Sequence, residues 1–344
     1  MKNWKAPVRD EVHGYWLKKF TSVHERLAVA LEECVVSGCP EWMVVGRTFL
    51  IQKDPKKGSE SSNFRPITCL PTKWKLRTSV ISSRLACYLE QNRLIPERAE
   101  GCRTKKRGCK YQLLIDQAVV ENCRRRKTNL AMAWIDYRKA YDSISHRWVL
   151  SMVEANGVSQ KWVEFLDREM GKWQTEIKGY RLRFRRGIVE FLEKAPLLFV
   201  VSLIPITERL KETGIGYKME KNCRAVSHLW YMDDLKMYAS SRKMFQKQVE
   251  TLEKASRDSG LEFGLGKCAT VTMTRGKCID GDGLRTGSCD KIEEVKEGYK
   301  YLGVREGQNR SRGNEDDAKE RIQEESNEGT TEFNIKWAEQ HKGN

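Results

Sequence analysis

The apolar residues Trp16, Phe20, Val23, Leu27, Leu31 and Cys34 recur at steps of three and four, the stripe of an amphipathic helix, and Ser37-Gly38-Cys39-Pro40 ends it. Residues 47–52 (RTFLIQ) read as a strand and 53–62 (KDPKKGSESS) as a solvated loop. Leu76, Val80, Ile81, Leu85, Tyr88 and Leu89 mark a second helix. A basic connector, 103–110 (RTKKRGCK), leads into a third, which ends in Arg124, Arg125, Arg126 and Lys127. The period then changes. Residues 130–135 (LAMAWI) are apolar on both alternating faces, which predicts a central strand covered on both sides, with Asp136 at its carboxyl end.

Helices are expected around 148–153 and 162–170, then a strand-turn-strand over 173–184 that finishes in Arg181, Arg183, Arg185 and Arg186. An apolar helix starts at Pro196, where a missing N–H is tolerated, and Pro205 is expected to kink it. Residues 225–231 and 235–240 read as two strands joined by a tight turn at Met232-Asp233-Asp234. Phe245, Val249, Leu252 and Ala255 mark a further helix closed by Ser259-Gly260, and strands follow near 268–274 and 299–304. From 305 to 344 apolar residues are sparse, so a disordered or marginally helical tail is expected. The pattern gives an α+β chain in three stretches, 1–128, 129–304 and 305–344.

Charge narrows the class of partner. The 344 residues carry 63 Lys and Arg against 47 Asp and Glu, a net +16, which favours a polyanion: nucleic acid or an anionic membrane surface. The longest apolar run, 195–206 (APLLFVVSLIPI), falls short of the roughly 20 residues a spanning helix needs. The amino-terminal MKNWKAPVRDEV lacks the apolar core of a secretory signal, so an intracellular setting, nucleus or cytoplasm, is expected. Eleven cysteines, with no CxxC pair, then read as buried free thiols rather than a disulfide framework or zinc module.

Two acidic elements carry the candidate chemistry. Asp233-Asp234 in a turn is by itself an ordinary use of a turn-forming residue. Beside a buried strand ending in Asp136, the same hairpin would gather three carboxylates at one edge of a sheet. Like charges so placed repel unless a cation sits among them. Oxygen donors of this kind suit Mg²⁺ or Mn²⁺, and two such ions about 4 Å apart can activate a hydroxyl and stabilise a leaving pyrophosphate.

At these residues the sequence resembles a known family. WIDYRKAYDSISH (134–146) and the later YMDD (231–234) look like motifs A and C of reverse transcriptases of the non-LTR, LINE-like retroelements. NFRPITCLPTKWKL (63–76) resembles the fingers motif of that group. Arg186-Gly187-Ile188 with Pro196-Leu197-Leu198-Phe199 matches the edges of motif B, GLEFGLGKC (260–268) motif D, and YKYLGV (299–304) the primer-grip region. The likeness runs from about Trp42 to Val304 in the family's order.

The resemblance implies a right-hand polymerase, with fingers in 1–128 and an antiparallel palm sheet packed on helices in 129–304. It assigns Asp136 and Asp233 as metal ligands, with Mg²⁺ or Mn²⁺ as cofactor, and Asp234 as a supporting carboxylate. Tyr141 would lie under the sugar and exclude a 2′-OH; a core aromatic is the competing reading. Lys267 matches the motif D lysine, set to offset charge on the leaving pyrophosphate, or is a solvated lysine. Arg65 and Lys75 match fingers positions that meet the triphosphate or template, and Arg65 could equally brace the loop before Pro66. Asp142 also fits motif A, or a helix amino terminus. The basic clusters at 103–110 and 124–127 are either nucleic-acid contacts or solvated faces. Expected partners are an RNA template, a DNA primer and dNTPs, with no membrane.

Two departures stand against the family pattern. Where motif B carries Gln-Gly-Asp, this chain has Glu190, Phe191 and Leu192, which place a charge and a large side chain where backbone approaches the nucleotide. Past Val304 the sequence is polar where relatives continue into a helical thumb. Three readings follow: an RNA-directed DNA polymerase core, a catalytically impaired relic or nucleic-acid-binding module, or an RNA-dependent RNA polymerase. Met232, where the last class usually has Gly, and Tyr141 argue against the third.

Overall fold

The computed structural model describes residues 3–4, 10–96, 109–188, 195–295 and 298–306. The amino-terminal part carries α1 (Gly14–Lys19), α2 (His24–Ser37), α3 (Glu41–Val44), β1 (Val45–Gln52), β2 (Phe64–Cys69), α4 (Thr72–Gln91) and α5 (Cys109–Arg126). Next come β3 (Leu130–Ile135), α6 (Ala140–Ser143), α7 (His146–Ala155), α8 (Gln160–Met170), β4 (Gln174–Ile177), β5 (Tyr180–Arg183) and α9 (Ala195–Glu212). The chain then forms β6 (His228–Tyr231), β7 (Asp234–Ala239), α10 (Arg242–Ser259), β8 (Ala269–Thr274) and β9 (Lys277–Ile279). Two short hairpins close the described region: β10 (Leu284–Arg285) with β11 (Lys291–Ile292), and β12 (Tyr299–Tyr301) with β13 (Val304–Glu306).

The central sheet has the order β6-β7-β3-β8-β9 and every pairing is antiparallel. All six residues of β3 are buried. Their alternation explains why. Ala131, Ala133 and Ile135 join the core beneath α7, α9 and α10, whereas Leu130, Met132 and Trp134 face α5 and the last hairpin. A strand covered on both faces has no polar side, hence its unbroken apolar sequence. The second sheet, β2-β1-β4-β5, pairs β1 with β2 antiparallel and with β4 in parallel. Thr48 ties three of its four strands, lying 2.6 Å from both the Thr68 and the Thr175 hydroxyl. Residues 174–183 are therefore in one sheet with 45–69.

Several expectations need correction. The single helix drawn through 16–34 is broken: Phe20 leaves helical geometry at ψ 78°, and Trp16, Phe20 and Val23 stay exposed. Trp16 and Phe20 stack on each other instead, at 5.4 Å. On α4 the buried face is Trp74, Arg77, Thr78, Ser82, Ala86 and Leu89, so Val80 is turned outward. Arg77 is buried because its guanidinium lies 4.4 Å from the Phe165 ring and donates to Cys39 Sγ. Pro205 lies inside α9, as expected, and the helix runs on to Glu212. The strand expected at 299–304 is a hairpin turning at Leu302-Gly303, both at positive φ. Every described cysteine is a free thiol. The expected tail from 307 onward, and 103–108 of the basic connector, lie outside the described residues.

Glu306, assigned from sequence to the polar tail, is buried. Lys236 on β7 is fully buried, with its ammonium 2.6 Å from Asp116 of α5 and 2.5 Å from Glu306 of β13. Burial alone would raise the Asp116 carboxyl, but the Lys236 charge and hydrogen bonds from Glu306, Lys236 and Tyr238 hold it below its ordinary value. Burial lifts Glu306 to about 7 against the pull of Lys236, and the Asp116 charge adds to the rise. One ammonium cannot neutralise two carboxylates, so Glu306 keeps its proton at mildly acidic pH. The native state then binds more protons than the unfolded chain, and stability falls as pH rises through about 7. Glu306→Gln, which keeps a neutral donor, is expected to flatten the denaturant-measured stability between about pH 4.5 and about pH 7. An equally steep wild-type and variant profile would contradict this assignment.

Candidate active site

Asp136 follows β3 directly, so the most buried strand of the sheet fixes its position. Its carbonyl accepts from Gly264 N at 2.7 Å, and Arg138 N donates to Glu262 O at 2.9 Å, tying the strand end to the loop after α10. At Gly264 a Cβ would stand 2.8 Å from Asp136 Oδ2, so any side chain there would displace that carboxylate. Sequence reasoning missed this residue, although its place in GLEFGLGKC, four residues before the Cys268 that packs on the Asp136 carbonyl, is the available signal.

Asp233 and Asp234 come from the β6–β7 hairpin. Tyr231 pairs with Asp234, which leaves Met232 and Asp233 as a two-residue turn, with Met232 held at φ 54°. β7 lies beside β3, with Leu235 opposite Ile135, so the hairpin tip and the β3 end share one edge of the sheet. The carboxylates act on each other there. Burial raises Asp233, and the Asp136 charge raises it further. Burial lifts Asp234 to about 6, with Asp233 and then Asp136 adding to it and Lys267 opposing. Asp234 itself remains solvent-accessible, so water screens part of this repulsion.

Lys267 is the cation of the group. It sits in a 3₁₀ turn (Leu265–Lys267) with its ammonium 3.5 Å from Asp136 Oδ2. The side chain is 75% exposed, so the pair holds little stability and the ammonium is free to move toward another anion. The last hairpin fixes its backbone: Tyr299 donates to the Lys267 carbonyl at 2.9 Å and stacks on Trp134 at 4.8 Å.

Tyr141 lies on α6, one turn past Asp136, with its ring 4.6 Å from Phe199 of α9. Asp142 beside it is raised by burial, against Lys139. The Arg186-Gly187-Ile188 segment docks on this helix. Ile188 N donates to the Tyr141 carbonyl at 2.9 Å, and Gly187, at φ +87°, would bring a Cβ within 2.9 Å of the Asp142 Cα. Arg65 on β2 is exposed and Lys75 on α4 half-buried; neither forms an ion pair with the three carboxylates. The structure thus brings Asp136, Asp233, Asp234 and Lys267 together, with Tyr141 on the adjoining helix and Arg65 and Lys75 on the other sheet's side. Glu190, Phe191 and Leu192 lie outside the described residues.

Among the described residues no group of three or more Asp, Glu, His or Cys side chains closes around one point as a complete cage for a metal ion. The donors fit a hard divalent cation of a different kind. Mg²⁺ is commonly held by one or two carboxylates and completed by water and substrate phosphates. Asp136 and Asp233, the second raised by the charge of the first, are the two carboxylates that could hold one in this way. Among the described residues no helix is long and apolar enough to cross a membrane.

Comparison with known proteins bears on the family and the fold. The family described as reverse transcriptase (RNA-dependent DNA polymerase) matches residues 54–305. The Pol polyprotein of the type-1 retrotransposable element R2 of Nasonia vitripennis is 24% identical over 260 residues, covering 71% of this chain and 24% of that protein. The type-2 element R2DM polyprotein of Drosophila melanogaster is 22% identical over 280 residues, 77% of this chain and 25% of that protein. The chain therefore spans about a quarter of the length of these curated relatives. Among solved structures, an apo telomerase from Candida tropicalis truncated from its C-terminal domain superposes with a TM-score of 0.50 at 11% identity, covering 73% of this chain and 55% of that one. At that identity the likeness concerns the fold.

Proposed function

The chain belongs to the reverse transcriptase family, as a domain of the non-LTR retrotransposon kind, and on that premise we propose that it copies an RNA template by adding dNTPs to a DNA primer 3′-OH. The observation that carries the reading is the meeting of Asp136, from one chain segment, with Asp233 and Asp234, from another, beside Lys267. A divalent cation held by Asp136 and Asp233 would neutralise triphosphate charge and favour ionisation of the primer hydroxyl. Asp234 supports the pair electrostatically. Lys267 is placed to move from Asp136 to the pyrophosphate that leaves as the primer oxygen bonds the α-phosphorus. Tyr141, braced by Phe199, gives a rigid wall under the sugar, and Arg65 and Lys75 supply cations for the triphosphate or template.

A second reading, a nucleic-acid-binding module without turnover, is favoured by one specific observation, Glu190-Phe191-Leu192 in place of Gln-Gly-Asp. A charged side chain in a buried hydrogen-bonded site costs a few kcal/mol, about two decades in rate. The substitution set E190Q, F191G and L192D is therefore expected to raise single-nucleotide primer extension on RNA about a hundredfold. Equal extension by both proteins would place the limit elsewhere. No extension by either, with salt-sensitive RNA binding retained, would favour the module.

A further inference from the structure

The central sheet has two ends, and only one holds the carboxylates. β3 runs from Leu130 to Asp136, β7 returns from Asp234 to Ala239, and β8 runs from Ala269 near Asp136 out to Thr274. Six residues at about 3.3 Å each separate the ends by roughly 20 Å. At the far end lies a cleft of about 820 Å³. Arg126 and Lys127 reach it from the end of α5, Lys218 from the segment after α9, and Arg275 from the β8–β9 turn; no Asp or Glu lines it.

Ordinary helix capping accounts for only part of this charge. Arg126 donates to the Met219 carbonyl, a satisfied contact near the negative end of α5. Lys127, Lys218 and Arg275 come from three separate stretches of chain, and among the described residues none has a carboxylate within ion-pair distance. Cations gathered in one concavity repel each other and raise the local potential for an anion. The rest of the lining is mostly polar or backbone, Thr128, Asn129, Ser240, Thr274 and the Gly214 and Gly216 segment, with Met244 as its one aliphatic side chain of size. Tyr217 is buried, sharing its hydroxyl with Asn122 and Thr128 at 2.9 Å, and so offers no face for a base. A cleft with charge but no stacking surface reads phosphates and not sequence. An acidic protein partner would want a cluster of apolar or aromatic anchors at its centre, and this cleft offers only Met244.

We propose that this cleft is a second nucleic-acid site, one that grips a phosphate backbone about 20 Å from the carboxylates and independently of them. It goes beyond the proposed polymerisation and does not require it. Binding of a labelled single-stranded RNA of about 30 nucleotides, and of DNA of the same sequence, is to be followed by fluorescence anisotropy across salt, without dNTP or divalent cation. The variant K127E/K218E/R275E, checked by circular dichroism and thermal melting, is expected to bind at least tenfold more weakly. Its log–log salt slope should be about 2 smaller in magnitude, near 0.7 per lost phosphate contact. K127Q/K218Q/R275Q should lose most of the same slope without charge reversal. Asp233→Asn, which would disable the chemistry, should bind as wild type, so that failure of the polymerase reading and failure of this one are told apart. RNA and DNA losing affinity alike identifies the shared phosphate backbone as the ligand, whereas loss for one alone assigns the site to that strand. An unchanged slope in both triple variants, or inorganic tripolyphosphate binding with no nucleic-acid binding, would overturn the proposal.

Discussion

Lys236→Met is expected to lower the unfolding free energy by about 3–5 kcal/mol, the largest stability effect of any single change considered. The ammonium has no exposure and holds two carboxylates at 2.6 and 2.5 Å. It also lies 4.5 Å from the Trp134 ring centre and 5.0 Å from that of Tyr301. Removing it leaves Asp116 ionised or forces a second proton into the cluster, and either outcome costs free energy in a fully buried site. The loss reaches the active site through the last hairpin. Glu306 anchors β13, β12 carries Tyr299, and Tyr299 holds both Trp134 and the backbone of Lys267. Denaturant unfolding of Lys236→Met beside Lys236→Met/Asp116→Asn/Glu306→Gln checks the cause. The triple variant should recover most of the loss, because a neutral cluster has no orphaned charge. A single variant within about 0.5 kcal/mol of wild type would contradict the account.

How much of this was legible in the sequence follows from the range over which each signal acts. β3 declared itself because burial on both faces leaves an unbroken apolar run, and the hairpin because Tyr231 to Asp234 leaves room only for a tight turn. Both carboxylate elements were therefore visible, and the family motifs supplied their order. The amino-terminal helix failed because spacing alone does not say where a backbone bends: Phe20 is periodic with Trp16 yet stacks on it outside the core. On α4 Leu89 is buried and Ile81, Leu85 and Tyr88 pack on the core as the stripe predicts, but Val80 faces out and Arg77 is buried by Phe165 and Cys39, partners more than thirty residues away. Glu306 was misplaced for the same reason. A lone acidic residue at the edge of a polar segment looks solvated until Lys236, 70 residues earlier, is seen beneath it. Gly264 is marked in sequence only by its place in GLEFGLGKC, and the approach of Asp136 Oδ2 shows what a side chain there would disturb.

The second large effect concerns the reaction. Asp136→Asn and Asp233→Asn each remove one of two carboxylates expected to hold the cation, and a single neutral amide in its place binds a hard divalent ion far more weakly. A loss of one ligand charge at a site that stabilises the transition state costs several kcal/mol, so extension should fall by about three decades or more. The fold should survive. Asp233 is raised by burial and by Asp136, which means the native protein relaxes when that charge is deleted. The deciding measurement is single-turnover extension of a DNA primer on an RNA template with Mg²⁺ or Mn²⁺, comparing the wild-type chain with Asp233→Asn at equal RNA occupancy. The account predicts a one-nucleotide product from the wild type that the variant fails to make while binding RNA equally well. Product formed at the same rate by both proteins would contradict it.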